Sequence, residues 1–137
     1  MTTEHAYSAK WILIPELSFY EQGQPPLSGE YHISVKDNIA SFSITWTPVG
    51  GDETSISFGG PLDGQPHDVE QPAGAKASYT CIDQHTLDSA MFINGQEAAY
   101  ARRLVSHDGQ LMAVLQTGFR PDGSSFRNTQ VYRKAAN

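Results

Sequence analysis

The sequence predicts an all-β protein, an up-and-down antiparallel β-barrel of about eight to ten strands. Three observations carry this. Runs of alternating or wholly apolar residues recur about every ten residues, and no stretch of helical periodicity interrupts them. The breaks include Asn94-Gly95, Asp108-Gly109 and Pro121-Asp122-Gly123, which supply the positive φ of tight hairpins. Sequential antiparallel strands without crossover helices make a meander, and closing it removes its unpaired edges. A two-sheet sandwich is the competing architecture.

Residues Met1 to Ser8 are polar and expected to be disordered, leaving 9–137 as one barrel domain. Trp11 to Ile14 gives a first strand stopped by Pro15, and Leu17 to Tyr20 a loop or short helical turn before the Gln22 to Pro26 linker. Glu30 to Lys36 alternates with Tyr31, Ile33 and Val35 on one face; Asp37-Asn38 turns it into Ala40 to Trp46. Ile56 and Phe58 open the next strand before Gly59-Gly60-Pro61 breaks it. Asp63 to Gly74 is irregular, with one short strand around His67 to Glu70. Lys76 to Ile82 and His85 to Ile93 flank Asp83-Gln84, and the closing meander runs Glu97 to Val105, Gln110 to Thr117 and Phe126 to Arg133.

Composition restricts function. A chain of 137 residues is long enough for one domain with a core, and 39% hydrophobic residues with 12 glycines and 8 prolines suit a turn-rich β protein. The net charge of -6, with nine scattered basic residues, argues against nucleic acid, whose binding needs clustered cations. No run is long enough for a membrane span, and the first ten residues lack the apolar core of a secretory signal. The single cysteine, Cys81, has no internal partner for a disulfide. A cytoplasmic protein is expected, and a mature secreted form also fits.

The stretch from Ile56 to Lys134 resembles the calycin superfamily. Its carriers are Gly59-Gly60-Pro61-Leu62-Asp63-Gly64, Cys81 to Leu87, Asn94-Gly95-Gln96, Arg102 to Gly109 and Asn128 to Tyr132. It is similar both to small bacterial lipocalin-like domains and to fatty-acid-binding proteins. The resemblance implies that Arg102 and Tyr132 stand where an arginine and a tyrosine hold a carboxylate inside the barrel. Gln130 stands in place of a second arginine, so a neutral or hydroxylated ligand becomes as plausible as a fatty acid. No counterpart of a helical lid falls between Trp11 and Gly29. Trp11 resembles the lipocalin first-strand tryptophan, and the resemblance implies a cation–π cover from Arg133.

Arg102 and Arg103 are neighbours on a strand, so one faces inward and the other solvent. An inward guanidinium needs an anion or several acceptors; the alternatives are an internal salt bridge or a wet position at the rim. With Arg102 inward, Tyr100, Gln130 and Tyr132 are its partners, and Asp88 pairs with it if it too points inward. Tyr31, Phe42, Trp46, Tyr79, Met91 and Phe92 are candidate walls of an apolar pocket, or plain core. His5, His32, His67, His85 and His107 form no metal pattern, so neither a metal nor another cofactor is expected; His32 or His85 could act as a base or haem ligand. Asp63, Asp68 and Asp83 read as turn residues, and Cys81 as a small buried hydrophobe. The expected partner is a small hydrophobic or amphipathic molecule, bound by a monomer or homodimer. The alternative is a small lipocalin-like enzyme, an isomerase, cyclase or decarboxylase using the same cavity. A packed barrel acting through its surface is the third reading.

Overall fold

The computed structural model describes residues 5–21, 24–69, 73–119 and 122–136. Its eleven strands form one antiparallel sheet. They are β1 (Ala9–Leu13), β2 (Phe19–Tyr20), β3 (Ser28–Lys36), β4 (Ile39–Thr47), β5 (Thr54–Pro61), β6 (His67–Asp68), β7 (Ala75–Asp83), β8 (Thr86–Ile93), β9 (Gln96–Val105), β10 (Leu111–Phe119) and β11 (Ser125–Lys134). The ladder runs β5-β4-β3-β1-β11-β10-β9-β8-β7-β6, with β2 paired to β11. β1 is the fastener: Trp11 lies opposite Tyr31 on one side and Lys134 on the other, joining the start of the meander to its end. Among the described residues one seam stays unladdered, where β5 faces β7, and there the Gly64 amide donates to the Tyr79 carbonyl at 2.8 Å. The sheet is a nearly closed barrel, and the sandwich reading is set aside.

Alternation and turn chemistry explain most of these strands. Asp37 and Asn38 (φ 52° and 60°) and Asn94 and Gly95 (φ 53° and 80°) have positive φ at both turn centres, the form whose twist matches paired strands. The segment after β1 departs from expectation. Pro15–Leu17 forms a 3-10 turn, and Phe19–Tyr20 then pair with Thr129 and Asn128 as β2. Two residues are too few to show a period, which is why the sequence did not reveal that strand. Gln22, Glu70 and Pro121, parts of the expected linker, short strand and turn, lie outside the described residues.

The amino terminus also differs from the disordered segment expected. Met1 to Glu4 lie outside the described residues, but the Ala6 amide donates to the Gln84 carbonyl at 2.8 Å and Tyr7 is 0% exposed. The Tyr7 carbonyl accepts from Trp11 Nε1 at 3.0 Å. One aromatic ring buries enough surface to order a polar neighbourhood. The implied Arg133 cover over Trp11 does not form: Trp11 is buried, whereas Arg133 pairs with Ile12 on the other parity and is exposed.

The interior is filled at one end and hollow at the other. Tyr7, Trp11, Ile33, Ala40, Leu62, Leu87, Val105 and Met112 are buried near the β3–β4, β7–β8 and β9–β10 turns and plug that end. Among the described residues no helix is long and apolar enough to cross a membrane.

Candidate functional site

A cavity of about 410 Å³ occupies the other half of the barrel. Ile44, Ile56 and Phe58 form one wall, and Tyr79, Met91 and Val114 lie around it. Ala77, Ser89, Ala99 and Ala101 also line it, and their small side chains leave the space empty. A wider hollow of about 570 Å³ lies along β3–β5, lined by His32, Ser34, Ser41, Ser43 and Ser57. It is open to solvent and holds no buried charge, so the inner cavity is the site.

Arg103 dominates the cavity electrostatically. It is 3% exposed, donates from Nε to Tyr31 Oη at 2.8 Å and from Nη1 to Ser89 Oγ at 3.0 Å, and has no carboxylate within ion-pair distance among the described residues. Its Cζ sits 4.8 Å from the Phe42 ring centre and 5.6 Å from that of Tyr31, so ring faces replace part of its lost hydration. Phe42 stacks on Phe58 and Tyr79 at 4.8 and 5.2 Å, and Tyr31 meets Tyr132 edge-on at 5.6 Å. From there a polar chain continues: Tyr132 Oη donates to Gln130 Oε1 at 2.9 Å, and Gln130 Nε2 to Gln116 Oε1 at 3.1 Å. Burial raises the pKa of Tyr31, Tyr79 and Tyr132, with Arg103 opposing it in each case. The phenols are therefore neutral donors at pH 7, and the charge facing the cavity is that of the arginine.

This corrects the assignment of Arg102. It faces outward, its side chain 39% exposed, with Nε on Asp88 Oδ1 at 2.7 Å and Nη2 on Oδ2 at 2.8 Å. Tyr100 Oη also donates to Asp88 Oδ2, at 2.7 Å, so Tyr100 borders the cavity with its hydroxyl already committed. The pairing of Asp88 with Arg102 exists, on the opposite side of the sheet from the one expected. The signal that identifies the inward arginine is the alternation Ala99, Ala101, Arg103: a hollow interior selects small residues, whereas the bulky Tyr100 and Leu104 accompany Arg102.

Of the other expected residues, Tyr31, Tyr79, Met91 and Gln130 line the cavity, Tyr132 supports Gln130, and Phe42 lies behind the guanidinium. Trp46 is half-buried beyond the lining, and Phe92 is not part of it. No histidine lines it either: His32 is exposed, His85 stacks with His107 at 6.4 Å, and His67 Nε2 lies 2.9 Å from Asp63. Asp63 and Asp83 accept turn amides from Gln65 and His85. Among the described residues no group of three or more His, Cys, Asp or Glu is placed to hold a metal.

No protein-family model and no curated protein matches this sequence. Solved structures do resemble it. A point mutant of the fluorescent protein UnaG superposes with a TM-score of 0.65 at 17% identity, over 96% of this chain and 98% of that one. Wild-type UnaG gives 0.62 at 18% identity, over 93% and 96%. With the ladder order and near-closure above, the chain has the calycin β-barrel fold of the fatty-acid-binding-protein type.

Proposed function

We propose that the barrel binds a small, largely apolar molecule whose one anionic or strongly accepting end reaches Arg103, with Gln130 and Gln116 offering amide contacts further along. The observation that carries this is the buried guanidinium without a carboxylate partner among the described residues. Removing such a charge from water costs several kcal/mol unless acceptors replace the hydration, and two hydroxyls supply part of that replacement. A ligand carboxylate completes it, through charge-assisted hydrogen bonds about twice as strong as neutral ones. The cavity volume of about 410 Å³ lies within the range of small-molecule sites. Among the described residues its lining has no carboxylate, imidazole or thiol for proton transfer, so what it offers a guest is confinement and one positive charge.

The experiment is displacement of a neutral, environment-sensitive dye by a medium-chain carboxylate, the matching alcohol and the matching amine. The carboxylate should bind tightest and the amine weakest. Arg103→Met should weaken the carboxylate about tenfold or more, since one charged hydrogen bond is worth ~1.5–3 kcal/mol, and leave the alcohol nearly unchanged. The variant should fold at least as stably as wild type, because an apolar replacement of a buried charge is often neutral or stabilising. Equal affinity for all three molecules, or an unaffected carboxylate in Arg103→Met, would refute the assignment.

A further inference from the structure

The polar side chains of the cavity stand at two poles, and the free capacity at the second is that of a donor. At the first pole Arg103 donates to Tyr31 and Ser89. At the second, buried Tyr132 donates to Gln130 Oε1 at 2.9 Å and Gln130 Nε2 donates to Gln116 Oε1 at 3.1 Å. Each amide oxygen is thereby engaged, and the chain ends on Gln116 Nε2, a donor with no partner among the described residues. Gln116 lines the cavity beside Ala101, its cross-strand neighbour on β9, whose methyl group leaves the adjoining volume open. The ladder holds the poles apart. Val114 lies opposite Arg103 on one side and Gln130 on the other, and Gln116 stands two residues further along β10. The backbone origins of Arg103 and Gln116 therefore differ by roughly 5 Å across the sheet and roughly 7 Å along the strand. Ile44, Ile56, Phe58, Met91 and Val114 make most of the remaining wall apolar.

We infer that the ligand is an apolar carboxylate carrying a second, neutral carbonyl acceptor, a keto acid or a comparable ester or amide, with that carbonyl on Gln116. This rests on the carboxylate reading above and names what stands at the other pole. A plain alkyl chain laid against Gln116 displaces its water and leaves a buried N–H unpaired, which lowers affinity about tenfold. A second carboxylate there is buried without a cation of its own, since Arg103 is the one cationic residue of the lining among the described residues. A neutral carbonyl meets the donor without bringing a charge. A site built around a hydrogen-bond donor discriminates strongly against the analogue that lacks the acceptor, so the second pole selects among carboxylates that the first pole holds alike.

The test is dye displacement by decanoate and by its keto derivatives, with the carbonyl moved one carbon at a time along the chain. At one position the keto acid should bind about tenfold tighter than decanoate, and decanedioate should bind more weakly than that keto acid. Gln116→Met should bring the two monocarboxylates to within about twofold of each other. A methylidene analogue of the best keto acid, alike in shape but without the acceptor, should bind wild type like decanoate; this decides the matter should the variant not fold. A keto series that nowhere exceeds decanoate, a gain that persists in Gln116→Met, or a methylidene analogue as tight as the keto acid overturns the inference. If decanoate is still weakened by Arg103→Met in that event, the carboxylate reading stands and only the second pole is misassigned. If decanoate ignores Arg103→Met, that reading falls and the inference with it.

Discussion

Arg102 and Arg103 are chemically identical and one residue apart, yet one is a surface ion-pair partner and the other the only charge facing the cavity among the described residues. Strand alternation made it legible that one of them points inward. Which one was not, because Tyr100 and Leu104 give the Arg102 face the look of a core face, and a reading by hydrophobicity expects large residues inside. A hollow interior reverses that expectation. The outer partner of Arg102 has its own testable consequence. Burial opposes ionisation of Asp88, but hydrogen bonds from Arg102 and Tyr100 outweigh it and hold the carboxyl below its ordinary range. A depressed carboxylate stabilises the fold fully above its unfolded value of about 4 and loses that contribution as pH falls through the lower folded value. Wild type should therefore exceed Asp88→Asn in stability at pH 7, by the same margin down to about pH 5, with the margin closing below about pH 4. Urea denaturation across that range checks it; an equal margin at neutral and strongly acid pH would contradict it.

Among the elements, the longer strands were legible because each has alternation or a bounded apolar run, and because Asn, Asp and Gly mark the turns by conformation. β2 was not legible, and its hydrogen bonds to β11 depend on Tyr20 and Asn128 meeting across more than a hundred residues of chain. Glycines within strands hold a second layer of information. A Cβ at Gly59 would overlap the Ala40 carbonyl oxygen on the neighbouring strand, a backbone atom that cannot rotate away. Gly50, at φ +74°, has open space around it. Gly59→Ala should therefore cost about 3 kcal/mol, the upper range for overpacking, and Gly50→Ala only about 1 kcal/mol of backbone strain. Chemical denaturation of both variants checks the ranking, and equal losses would show that β4 and β5 can separate locally at no cost.

At the scale of the molecule, barrel closure followed from the meander, but the division into a plugged end and a hollow end did not. That division depends on Tyr7, assigned by its polar neighbours to a disordered start, and on small residues whose role is to leave volume unoccupied. Filling the volume separates binding from folding. Ala101→Leu places added methyl groups in empty space, so thermal stability should hold or rise, while dye and ligand affinity should fall about tenfold or more. Loss of both together would show that the space is not empty in solution.

Most of the wall is sewn on both sides, each strand bound to two neighbours, but among the described residues the ladder ends at β5, paired only with β4, and at the two-residue β6, paired only with β7. Among the described residues the far lip of β5 meets β7 through side-chain packing, the Tyr79 ring lying against Gly60, and through the Gly64–Tyr79 hydrogen bond just beyond β5, not through a ladder. Deuterium uptake should accordingly be faster along β5 than along β10, which is fastened left and right, and occupancy of the interior should slow it.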